Sequence, residues 1–117
     1  MADDCIFCKI NIGEIPSEKL YQDDDCFVIR DIAPKAPTHL LIIPKRHMTY
    51  LTGLTGMTPE FQPVIGAMYK AASLMAVAED VADTGYRLIV NQRGDAGQEV
   101  PHLHMHLLAG RRLGPMG

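Results

Sequence analysis

A chain of 117 residues, 47% apolar and 21% charged, can bury one core but is too short for two, so residues 1–117 are expected to form a single domain. No stretch approaches the ~20 apolar residues of a membrane span. The acidic start Met1-Ala2-Asp3-Asp4 lacks the basic and apolar regions of a signal peptide, which predicts a cytoplasmic protein with no membrane partner. The net charge of −3, from 11 basic and 14 acidic residues, provides no global positive field and argues against a nucleic-acid polymer as partner.

Along the chain, Cys5 to Ile12 places Ile6, Phe7 and Ile10 at helical spacing and stops at Gly13, which predicts a short helix with two thiols near its start. Lys19 to Gln22 and Cys26 to Arg30 flank Asp23-Asp24-Asp25, a turn-forming cluster, and read as a hairpin with Cys26 in the core. Thr38 to Ile43 is a continuous apolar run between Pro37 and Pro44, which predicts a central strand covered on both faces. Phe61, Val64, Ile65, Met68, Ala72 and Met75 recur at helical spacing between Thr58-Pro59 and Thr84-Gly85. They mark one long amphipathic helix whose regular ladder follows Pro63, with the methionine stripe as core. Tyr86 to Asn91 reads as another strand, and the alternating run His102 to Leu108 as the last. The sum is an α+β domain: an antiparallel sheet of about five strands, one long helix and a short N-terminal helix.

The alternation of His102, Leu103, His104, Met105, His106 and Leu107 sends three imidazoles to one face of a strand, about 6.8 Å apart, and the apolar residues to the other. One such histidine is unremarkable in a core. Three on one face are costly to desolvate and point to chemistry. Upstream, Asn91 and the loop Gly94-Asp95-Ala96-Gly97-Gln98-Glu99 offer backbone amides to an anion. Imidazole attacks phosphorus well and leaves well, so the combination describes a phosphate pocket with a nucleophile.

Pro101-His102-Leu103-His104-Met105-His106-Leu107-Leu108 resembles the H-x-H-x-H-x-x signature of the histidine-triad superfamily. The likeness extends to Cys5-Ile6-Phe7-Cys8-Lys9-Ile10, Gly13-Glu14-Ile15-Pro16, Asp31-Ile32, Ala36-Pro37-Thr38-His39, Ile43-Pro44-Lys45-Arg46-His47 and Gly97-Gln98. The ending Leu108-Ala109-Gly110-Arg111 is closer to the Leu-Gly-Gly-Arg of the Hint branch than to the Leu-Pro-Arg of the Fhit branch. The resemblance implies a homodimer that binds purine mononucleotides and cleaves at the α-phosphorus, typically the P–N bond of a nucleoside phosphoramidate. By the same resemblance His104 is the nucleophile, His106 contacts phosphate and leaving group, and His39 supports the triad. Asn91, Gly97 and Gln98 fall at phosphate-loop positions and Asp31 at the ribose. Phe7, Ile10, Ile15, Ile29 and Ile32 would enclose the base. Glu99 stands beside the leaving group, where animal Hint proteins carry a serine and bacterial relatives carry acidic residues.

Cys5 and Cys8, with His47 and His102, supply the two sulfurs and two nitrogens of a structural zinc site, and similar family members hold zinc with counterparts of these four residues. Two reduced thiols or a thioredoxin-like redox pair are the other readings of the C-x-x-C. Zinc bound by His102 leaves His104 and His106 for chemistry, with no catalytic metal required. The competing functions are a dinucleoside polyphosphate hydrolase, a non-catalytic nucleotide-binding or scaffold protein, and a hydrolase with a catalytic metal on His102, His104 and His106.

Overall fold

The computed structural model describes residues 4–51 and 58–117; Met1, Ala2 and Asp3 of the acidic start lie outside the described residues. The short helix α1 spans Ile6–Asn11, and Cys5 is its N-cap. Gly13 takes the left-handed φ of 81° that ends it, a conformation any Cβ would strain. The hairpin β1 (Tyr21–Gln22) and β2 (Cys26–Arg30) is closed by one carboxylate. Asp23 Oδ1 accepts from the amides of Asp25 at 2.8 Å and Cys26 at 2.9 Å, which is why the acidic cluster turns the chain.

The strand β3 (Thr38–Pro44) leads through residues 45–51 toward the long helix α2 (Gln62–Ala78). Pro63 sits in its first turn, where a missing N–H costs nothing. The helix stops at Ala78, short of Thr84-Gly85, and Asp80 beyond it adopts a φ of 59°. Strand β4 (Tyr86–Ile89) and a 3₁₀ turn (Gly94–Ala96) follow, then β5 (Met105–Ala109). All pairings are antiparallel, in the order β1-β2-β3-β5-β4.

Two apolar layers cover the sheet. Val28, Leu40, Ile42, Met105 and Leu107 pack against Val64, Met68, Ala72 and Met75 of α2. On the opposite face Phe27, Ile29, Leu41 and Ile43 pack against Cys5, Phe7, Cys8 and Ile10. The apolar run of β3 therefore feeds both layers, as its lack of alternation predicts. Cys26 is fully buried, and burial pushes its thiol up to about 12, as suits an inert core residue.

The last strand starts three residues later than the alternation of His102 to Leu108 suggests. Pairing between β3 and β5 ends at Ile42 opposite Met105, because farther along β3 comes Pro44, which has no N–H for a ladder. The amide of His102 turns instead to the Val100 carbonyl at 2.8 Å, and that of Leu103 to the Met48 carbonyl. Leu103, Met105 and Leu107 nonetheless all enter the α2 layer.

Candidate active site

The histidines occupy the α1 side of the sheet. On β3 and β5, His39 lies opposite Leu108 and His106 opposite Leu41, so His39 and His106 are diagonal neighbours on one face, within reach of each other. His39 Nε2 is 2.9 Å from His106 Nδ1 and 3.4 Å from Asp31 Oδ2. The His104 ring lies 5.1 Å from that of His106 and, edge-on, 5.2 Å from Phe7 of α1. Burial, then the neighbouring His104 and His39, pushes His106 down to about 4. Burial also lowers His39, the Asp31 carboxylate working in the other direction. Both rings are thus neutral near physiological pH.

His104 has one nitrogen committed. Its Nδ1 lies 2.8 Å from the carbonyl of His102; a carbonyl can only accept, so Nδ1 carries a proton, and in the neutral ring Nε2 keeps its lone pair. His104 and His106 both line a cavity of about 610 Å³. Phe7, Ile10, Ile15 and Ile29 form its apolar wall. Ile32, also in the lining, stands at the rim and is 99% exposed. Asp31, His39, Asn91, Gly97 and Glu99 complete the polar side.

Gln98 is the predicted residue that does not line this cavity. Its side chain ties the loop together: Oε1 accepts from the Arg93 amide at 2.8 Å, and Nε2 donates to the Thr49 and Val100 carbonyls at 2.8 and 3.3 Å. Arg93 takes a φ of 70° and lays its guanidinium 3.7 Å over the Tyr50 ring. Gly97, at a φ of 81°, lets the backbone turn back toward the histidines. Lys35 lines the cavity too, and its amide donates to His39 Nδ1 at 3.0 Å. Sequence reasoning missed it because a lone lysine in a loop carries no periodic signal; its place four residues before His39 was the only clue.

Beside the cavity, Cys5, Cys8, His47 and His102 bring four donor atoms within 4.8 Å of one another. Cys5 Sγ is 3.2 Å from His102 Nδ1, Cys8 Sγ 3.3 Å from His47 Nδ1 and 3.6 Å from His102 Nδ1. Tetrahedral zinc, with sulfur at about 2.3 Å and nitrogen at about 2.0 Å, separates its ligands by roughly 3.3–3.8 Å, so these residues fit the ion. His102 Nε2–H donates to the Pro44 carbonyl at 2.8 Å, which leaves Nδ1 as the ligating atom and holds the ring as a metal-bound histidine usually is held. Without a cation, burial and the neighbouring Cys5 push the Cys8 thiol up to about 11; a divalent ion would draw both sulfurs as thiolates. The group could hold a metal ion, with no position left open for water.

The family model for the HIT domain matches residues 12–113. The purine nucleoside phosphoramidase of Escherichia coli K12 is 47% identical over 116 residues, covering 99% of this chain and 95% of its own. The protein HitA of Neisseria gonorrhoeae is 42% identical over 106 residues, 91% of this chain and 95% of its own. A HIT family hydrolase from Clostridium thermocellum superposes with a TM-score of 0.89 at 41% identity over 98% of this chain and 97% of that one. A histidine triad protein from Clostridium difficile gives 0.89 at 38% identity over 100% and 99%. With the histidine run leading into β5 and this fold around it, the chain belongs to the HIT domain family.

Proposed function

We propose that this protein is a purine nucleotide-binding hydrolase that cleaves nucleoside phosphoramidates at the α-phosphorus through a nucleotidyl-histidine on His104. The observation that carries the reading is the His104 ring: Nδ1–H bound to the His102 carbonyl and Nε2 free, beside a cavity with one apolar wall and one histidine-rich wall. The name of the Escherichia coli relative, purine nucleoside phosphoramidase, supports the choice of substrate class.

In the first step the Nε2 lone pair forms the N–P bond, the P–N bond to the leaving amine breaks, and the departing nitrogen takes a proton from solvent. His106 and the amides around Gly97 stabilise charge on the phosphoryl oxygens. Water then attacks the nucleotidyl-histidine, returning the nucleoside monophosphate and free His104. The base is enclosed by Phe7, Ile10, Ile15, Ile29 and Ile32. Asp31 has Oδ1 engaged by the Ala33 amide at 2.8 Å and Oδ2 directed at His39, so a ribose hydroxyl would share this carboxylate. Glu99, at the polar edge of the cavity, faces the leaving group.

Cys5, Cys8, His47 and His102 would hold a structural zinc that ties α1 to the approach to β5 and supplies no chemistry to the reaction. Residues 1–117 act as one HIT domain in the cytoplasm, where the C-x-x-C thiols stay reduced. A homodimer is supported by β4, whose outer edge pairs with no strand among the described residues, and by the exposed apolar side chains Tyr69, Val77 and Tyr86.

The test is AMP release from an adenosine phosphoramidate by wild-type protein and His104→Ala, with and without chelator. Wild-type turnover should survive chelation and fall at least about 10³-fold in the variant. Normal turnover by His104→Ala would sink the nucleophile assignment. No turnover by wild type would favour a binding protein, and turnover abolished by chelation in folded protein would favour a catalytic metal.

A further inference from the structure

Four residues before His39, the backbone of Lys35 makes two contacts. Its amide donates to His39 Nδ1 at 3.0 Å, and its carbonyl accepts from Arg111 Nη2 at 3.0 Å. A ring nitrogen that accepts carries no proton, so the single proton of neutral His39 sits on Nε2. That nitrogen has two acceptors in reach, His106 Nδ1 at 2.9 Å and Asp31 Oδ2 at 3.4 Å. His106 Nδ1 must then be the unprotonated nitrogen of its ring, which leaves the proton on the Nε2 of a cavity-lining histidine.

We infer that the Lys35 amide, clamped by Arg111, sets the tautomers of His39 and His106 in turn and so makes His106 an N–H donor to whatever occupies the cavity. The opposite tautomer of His39 would aim a ring N–H at the Lys35 N–H and leave both unsatisfied, as well as directing a lone pair at Asp31. The clamp comes from the continuation of β5 itself. Gly110 runs so close to the preceding loop that a Cβ there would lie 2.8 Å from Pro37 Cβ, and this approach lets Arg111 reach the Lys35 carbonyl. The strand that carries His106 therefore also holds the loop that orders its proton.

The same protons decide against a cation among Asp31, His39 and His106, although their donor atoms also lie within 4.8 Å of one another. A metal needs a lone pair on His39 Nε2, where the Lys35 amide has placed the hydrogen. Lys35 is thus a positioning residue acting through its main chain, and no substitution of its side chain alone would remove the effect.

That the His106 N–H meets a phosphoryl oxygen rests on the phosphoramidase reading; the proton positions do not. In ¹⁵N-labelled wild-type protein at neutral pH, both rings should appear as Nε2–H tautomers. Couplings across hydrogen bonds should join the Lys35 amide nitrogen to His39 Nδ1, and His39 Nε2 to His106 Nδ1. An Nδ1–H signal from either ring would overturn the inference whatever the variants do. Lys35→Pro deletes the N–H and should give His39 mixed tautomers, with kcat lowered at least roughly tenfold and KM little changed; Lys35→Ala keeps the N–H and should keep both tautomers. Unaltered tautomers in folded Lys35→Pro would refute the role of the amide. Should that variant not fold, the wild-type couplings decide. Shifted tautomers with an unchanged kcat would leave the inference standing and count instead against His106 as the phosphate donor.

Discussion

His102 divides its side chain and carbonyl among four residues. Nδ1 faces the two thiols, Nε2–H binds the Pro44 carbonyl, and the backbone carbonyl takes the Nδ1 proton of His104. The middle histidine of the run is thereby oriented by the first, two residues away, rather than by a distant carboxylate. A backbone carbonyl cannot rotate independently of its chain, so the nitrogen proposed to attack phosphorus inherits the rigidity of a fully buried residue. Gly110 shows the same dependence on close approach. At a φ of 101°, with Pro37 Cβ 2.8 Å and Pro37 Cγ 3.2 Å from where a Cβ would stand, Gly110→Ala should lose about 1–3 kcal/mol of stability through backbone strain and overpacking. Urea denaturation checks it, and an unchanged midpoint would mean that the Pro37 loop yields without cost.

At the scale of elements, α1 is only six residues long and could not persist alone in water. Its ends are held by what it touches: Phe7, Cys8 and Ile10 are buried against Phe27, Ile29, Leu41 and Ile43, while Cys5 and Cys8 reach His47 and His102. Phe7 lies between those cysteines in sequence, and its ring meets both His102, at 5.6 Å, and His104, at 5.2 Å. Metal bound at the cysteines would fasten the element that forms one wall of the cavity. Zinc removal should therefore lower Tm by roughly 5 °C or more. Turnover per folded molecule should persist, because His102 keeps its bond to Pro44. Calorimetry before and after dialysis against chelator, with metal content measured in parallel, distinguishes the cases. Protein that carries no zinc even when purified in its presence would reduce the cluster to four neighbouring side chains.

For the molecule as a whole, burying histidines between sheet and helix couples folding to protonation. The pKa of His106 falls from the ordinary 6.5 to about 4 on folding. Above about 6.5 neither folded nor unfolded chain holds that proton, and His106 adds no pH dependence. Between 6.5 and about 4 the unfolded chain takes up the proton and the folded one does not, so stability declines as the pH falls through this window, by an amount on the order of a few kcal/mol. Denaturant titrations at several pH values should show the decline; replacing His106 with glutamine should make it shallower without abolishing it, because burial also lowers His39 and His102, and a wild-type curve that stays level would show that the ring charges without resistance. The exposed face carrying Tyr69 and Val77 is a surface for the proposed homodimer. Val77 is 68% exposed, and Val77→Glu should shift a dimer toward monomer in light scattering. A shift-free profile would move the interface elsewhere.

Local periodicity determined much of this protein. The unbroken apolar run of β3, the helical stripe of α2 and the alternation from His102 to Leu107 each report which side chains are buried, and burial has the period of the element that produces it. The C-x-x-C and the histidine run were visible for the same reason, as short-range patterns of unusual chemistry. Tertiary structure alone decided the rest. It brought Cys5 within 3.2 Å of His102 across 97 residues, ended β5 pairing where Pro44 has no N–H to offer, and turned Gln98 away from the cavity to brace the loop. It also placed the Lys35 amide on His39, and with it the proton on His106. Such contacts join residues far apart in the chain or depend on a single rotamer, and a pattern of residue types carries neither the distance nor the direction of a hydrogen bond.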